Sequence, residues 1–163
     1  MSPEKKAVLS AGGILAFGAI GRWANGFVYS SAEAKDLISS LSESGLYLGS
    51  AMAASSGTTL ALMLTVIGIV RRMDQDFDAP IYRRINLVSL LSTLSLAGSV
   101  VMLLVLTLPV GDFDKLPSQW YPTLYNVVYA MVIGLSALLV STVVLLYGTV
   151  RVLIANITPN DEV

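Results

Sequence analysis

Long apolar runs alternate with short polar connections along this chain. No charged residue interrupts Ser44 to Val70, Ile85 to Gly111 or Leu116 to Val150. A helix needs roughly 20 mostly apolar residues to cross about 30 Å of hydrocarbon, and each run is long enough. Charge and proline trim the runs to three predicted transmembrane helices. The first, 49–70, ends at Arg71 and Arg72; the second, 85–108, follows Arg83 and Arg84 and stops at Pro109; the third, 125–150, lies between Pro122 and Arg151. The predicted fold class is all-α, a polytopic transmembrane helix bundle forming one domain over 1–163.

Two other segments complete the predicted layout. Ala7 to Gly21 is apolar but short for a span, and it stops at Arg22. If Arg22 snorkels to the interface beside Trp23 and Tyr29, 7–29 becomes a spanning helix; the alternative is an interfacial or re-entrant helix. Lys5 and Lys6 before an apolar core also suit a secretory signal, although no A-x-A-like cleavage site follows Gly21. In 30–48, Ala34, Leu37, Ile38, Leu41, Gly45 and Leu48 recur at helical spacing, with Glu33, Lys35, Asp36 and Glu43 between them. That pattern predicts an amphipathic helix, suited to the bilayer surface, the bundle or a partner subunit.

Charge gives the layout a direction. Arg71, Arg72, Arg83 and Arg84 share one connection, whereas the other two carry one basic residue each, Lys35 and Lys115. Loops rich in Lys and Arg stay cytoplasmic, which places loop 71–84 and the C-terminus inside. Four spans return Lys5 and Lys6 to the same side. Trp120, Tyr121 and Tyr125 read as an interfacial aromatic belt on the opposite face, with the four Arg as anchors on the inner one.

Composition narrows the chemistry. Apolar residues make up 55% of the chain, charged residues 13%, and mean hydropathy is +0.73; this leaves no separate soluble domain. The net charge of −1 gives no field for nucleic acid. With no Cys and no His, the usual thiolate, metal, haem and general-base residues are all missing. No metal site, cofactor or catalytic residue is predicted, and the chain reads as no enzyme. A lipid or pigment held by Asn, a backbone carbonyl or apolar surface stays compatible with the sequence. Asp74, Asp76 and Asp78 open like a calcium loop, but Ala79 replaces the turn Gly and Ile85 the bidentate Glu.

The remaining signals are small and hydroxyl side chains. Gly49, Ala53, Gly57 and Ala61 recur every four residues, beside a second row of Ser50, Ala54 and Thr58. Gly134, Ser141 and Gly148 recur every seven, with Ala130 and Ala137 on the same side. In lipid, helices associate where small residues let backbones approach, so these rows predict helix packing, within the bundle or against another subunit. Ser55, Thr59, Ser92, Ser95 and Ser99 are the candidate lining of a pore, although such hydroxyls also bond back to the preceding turn. No ionisable residue lies within the three charge-free spans, which argues against coupled ion transport.

Ser56-Gly57-Thr58-Thr59-Leu60-Ala61-Leu62-Met63-Leu64, Tyr82-Arg83-Arg84-Ile85, Leu108-Pro109 and Trp120-Tyr121 give a stretch that resembles small multi-span membrane proteins predicted from bacterial genomes. The resemblance spans about two thirds of the chain. It implies a bacterial inner membrane and carries no activity. The expected function is a non-catalytic membrane subunit that packs against other subunits or its own copies to stabilise or position an assembly. The alternative is a homo-oligomeric passive channel.

Overall fold

The computed structural model describes residues 3–24, 31–72, 79–107 and 120–157, and their side chains over 3–23, 41–70, 81–107 and 122–154. All four segments are helical: α1 (Pro3–Ala24), α2 (Ser31–Arg72), α3 (Ala79–Thr107) and α4 (Trp120–Ile157). Three stretches within them are long and apolar enough to cross a membrane: Leu41–Val70, Ile81–Thr107 and Pro122–Ile154.

The helices run past the boundaries that charge and proline suggest. Pro80 and Pro122 sit in the first turns of α3 and α4, where backbone N–H groups have no helical partner and a missing donor costs nothing. Arg83, Arg84 and Arg151 lie inside helices, because charge marks where the solvent changes and has little effect on where a helix ends. The segment expected as a separate amphipathic helix over 30–48 is continuous with the span that follows. α2 has 42 residues, about 63 Å at 1.5 Å per residue, so it outreaches a bilayer core.

Neighbouring helices alternate in direction. Gly45 faces Met102 and Leu106, Gly49 faces Leu103, and Ser56 faces Ser95, so α2 and α3 are antiparallel. Pro3 meets Gly148 and Gly18 meets Ile133, which makes α1 antiparallel to α4. α2, α3 and α4 pack mutually, while α1 lies along α4 and not along its sequence neighbour α2.

A repeat of alternating three and four residues organises the interior. α2 buries Gly45, Gly49, Met52, Ser56, Thr59, Met63 and Val70; α3 buries Ile81, Ile85, Val88, Ser92, Ser95, Ser99, Met102 and Leu106. This 3.5-residue period is that of left-handed helix pairs. Two apolar clusters fill the ends, one around Met63, Val88 and Leu145 and one around Met52, Met102 and Leu135. Between them Ser56, Ser92, Ser95, Ser99 and Thr142 are buried as deeply as any methionine, as is Thr149 within the first cluster, between Leu145 and Leu153.

Outside, the order is reversed. Val8, Phe17, Leu64, Leu104 and Ile154 are all more than half exposed. A soluble protein hides such side chains and shows its hydroxyls. This distribution suits a surface wetted by hydrocarbon, in which burying a Leu against another helix gains little.

Candidate helix-packing surfaces

The hydroxyl layer lies halfway along the spans. Ser56 donates to Ser95 across the α2–α3 seam at 3.0 Å. Most other hydroxyls bond to their own helix one turn back: Thr59 to Ser55, Ser99 to Ser95, Ser141 to Ala137, Thr142 to Leu138 and Thr149 to Leu145, all between 2.7 and 2.9 Å. Returned in this way, a hydroxyl is small and locally satisfied, so two backbones can close on it. Ser92 Oγ is buried with no hydrogen-bond partner; the register set by Ser56 and Ser95 puts it level with Thr59. Of the candidate pore residues, Thr59, Ser92, Ser95 and Ser99 are thus in the bundle interior, while Ser55 is on its outer face.

The α1–α4 seam is built from small residues that sequence reading did not single out on α1. Ala7 is buried, with its carbonyl 3.4 Å from Ser141 Oγ. A Cβ on Gly18 would lie 2.5–2.8 Å from three atoms of Ile133, and one on Gly148 would lie 2.8 Å from Pro3. Ser141, Gly148 and the neighbouring Ala137 of the seven-residue row therefore face or flank α1. Gly134 is different, since a Cβ there meets nothing within 4 Å.

At the far end of this seam three residues on two helices converge. Tyr129 donates to the Gly18 carbonyl at 3.0 Å and stacks on Tyr125, with ring centroids 5.9 Å apart. The Arg22 guanidinium sits 5.9 Å from the Tyr125 ring centroid, a cation–π distance. Tyr125 is only 5% exposed, so its ring turns into the bundle and not out into an aromatic belt. Arg22 Nη1 is buried with no hydrogen-bond partner. An Arg followed 103 positions later by a Tyr leaves no sequence signal of contact. Arg83 is exposed and Arg84 half-buried at the start of α3; the side chains of Arg71, Arg72, Trp120 and Tyr121, and Asp74, Asp76 and Asp78, lie outside the described residues.

The four-residue row on α2 does not stay on one face. Each step of four residues advances 40° beyond a full turn at about 100° per residue, so the row winds around the helix. Gly49 is buried against Leu103, Ala53 and Gly57 are half-buried, and Ala61 is exposed. A second seam emerges on the outside. Ala51, Ala54, Thr58, Ala61, Thr65 and Gly68 are all exposed, and they follow the same three-four alternation as the buried one. A Cβ on Gly57, beside this seam, or on Gly68, within it, meets nothing within 4 Å. α2 thus carries two heptad-spaced faces, one of mixed size used within the chain and one of small residues left uncovered. Comparison of the chain with protein-family models, with curated proteins and with solved structures returned no match.

Proposed function

We propose that this protein is a non-catalytic integral membrane subunit whose outward α2 seam packs against a helix of another subunit, either a different membrane protein or a second copy. The observation that carries this reading is the uncovered row Ala51, Ala54, Thr58, Ala61, Thr65 and Gly68. Lipid chains need no small residues to pack against, whereas an approaching helix does. The row has the spacing that already closes α2 on α3, and neighbouring positions of the same face carry Leu62 and Leu64. The setting is a bacterial inner membrane with α1 as a fourth span. Its 22 residues reach about 33 Å, and it lies along α4 from Pro3 to Gly21. Loop 71–84 and the C-terminus are then cytoplasmic.

The experiment is native electrophoresis and crosslinking of protein extracted from its own membrane. The wild-type chain runs in an assembly larger than a monomer, and Ala54→Leu with Ala61→Leu releases it, while the helix content of the released chain is unchanged. Wild type running as a lone monomer overturns the reading. The pore alternative needs Ser55, Thr59, Ser92, Ser95 or Ser99 to meet water. Because the chain has no Cys, single Cys variants at Ser55 and Ser95 report this directly in liposomes. Neither is expected to react with a membrane-impermeant maleimide. Labelling at Ser55 with conductance across a planar bilayer would establish a pore between copies.

A further inference from the structure

α1 and α3 both rest on α4 but stand apart, leaving a groove of about 560 Å³ with α4 as its floor. Its walls are aliphatic, with Val8 and Leu15 on α1 and Leu87 and Leu91 on α3, and its floor includes Gly134. Only one end is charged. There Glu4 contributes from α1 and Arg83 from α3. From Glu4 to Leu15 the groove covers eleven residues of helix, about 16 Å, which is half of a bilayer core about 30 Å thick. It therefore runs from one headgroup region to the midplane and stops.

We infer that this groove holds one acyl chain of a phosphatidylethanolamine molecule from the leaflet on the Arg83 side, its phosphate on Arg83 and its ammonium on Glu4. Three features select this occupant. The length matches a chain that belongs to a single leaflet. A transmembrane helix crosses both leaflets and closes through small residues, yet here Gly134 and Ala137 are recessed behind Val8, Leu15 and Leu91, so a helix cannot reach them and a flexible chain can. The mouth offers one cation and one anion, which complements a headgroup with both charges. A primary ammonium can donate hydrogen bonds to the Glu4 carboxylate; the quaternary ammonium of phosphatidylcholine has no hydrogen to give, and phosphatidylglycerol has no cation.

The test is native mass spectrometry of the full chain, incubated in turn with phosphatidylethanolamine, phosphatidylcholine and phosphatidylglycerol of the same acyl composition. One phosphatidylethanolamine is expected to be retained at activation energies that strip the other two. Gly134→Leu, which fills the floor where no atom lies within 4 Å of a Cβ, should lower retention at least about tenfold. Gly57→Leu, equally unobstructed and on another helix, should leave it unchanged. Glu4→Gln and Arg83→Gln alter only the mouth, so they keep the test valid if Gly134→Leu fails to fold. Glu4→Gln should erase the preference over phosphatidylcholine, and Arg83→Gln should weaken all three lipids. Equal retention of the three lipids by wild type overturns the inference, as does retention indifferent to both mouth variants. A lipid-free dimer dissolved by Gly134→Leu would likewise overturn it, by showing that a second copy fills the groove.

Discussion

Gly18→Leu should detach α1 from α4 while leaving the other three helices packed. The ideal Cβ at this position falls 2.5 Å from Ile133 Cδ1, 2.7 Å from Cγ2 and 2.8 Å from Cγ1. Ile is branched at Cβ and stiff about χ1, so Cγ1 and Cγ2 cannot swing aside as the tip of a Leu or Met could. Relief must come from the backbone. Overpacking of this kind costs typically 1–3 kcal/mol, and separating the helices also breaks the Tyr129 bond to the Gly18 carbonyl. α1 has few other holds, since Ala7 and Gly18 are its only buried positions among the described side chains. Hydrogen exchange in detergent micelles reads the result. The α1 amides should lose protection about 10- to 100-fold while those of α2, α3 and α4 keep theirs. Unchanged protection across α1 would show that the helix is held by something other than close approach at Gly18.

The number and placement of the long apolar helices were legible in the sequence, because hydropathy and charge report directly on solvent. The 49–70 and 125–150 segments each fall within one helix of the structure, and 85–108 does so as far as Thr107, where the described part of α3 ends. Their ends were less legible. Arg83 and Arg84 lie inside a helix that opens at Ala79, because proline in a first turn is compatible with continuing helix. Continuity from Ser31 through Leu48 into the span was also hidden, since a change from amphipathic to apolar pattern does not interrupt backbone hydrogen bonding.

The packing faces were half legible. Small residues on α2 announce close approach, but which of them face inward depends on the period chosen. A four-residue period groups Gly49 with Ala61, which the helix places on different sides; the three-four alternation separates Gly49, Met52 and Ser56 from Ala51, Ala54 and Thr58. Contacts between distant helices were not legible at all. Arg22 over Tyr125 and Tyr129 on Gly18 follow from α1 lying on α4, and nothing in either helix alone chooses that partner over α2.

Ser95→Leu should destabilise the bundle several times more than Ser95→Ala, and the comparison separates two roles for the buried hydroxyls. Ser95 is fully buried and accepts from Ser56 at 3.0 Å. Losing that acceptor costs little, because a Ser in a helix can turn to the carbonyl four residues back, here that of Met52. Interhelical hydrogen bonds in membrane proteins average about 0.6 kcal/mol, and Ser95→Ala should cost about that. Leu adds bulk between two backbones that close on Ser and leaves Ser56 facing carbon, so overpacking of about 1–3 kcal/mol adds to the lost bond. Titrating helix content with a denaturing detergent in mixed micelles measures both variants on one scale. If Ala proved as harmful as Leu, the α2–α3 seam would be held by the hydrogen bond itself. The expected order assigns the cohesion to close packing, and it predicts that glycine, alanine and serine exchange freely at 56, 92, 95 and 99 while branched aliphatic residues do not.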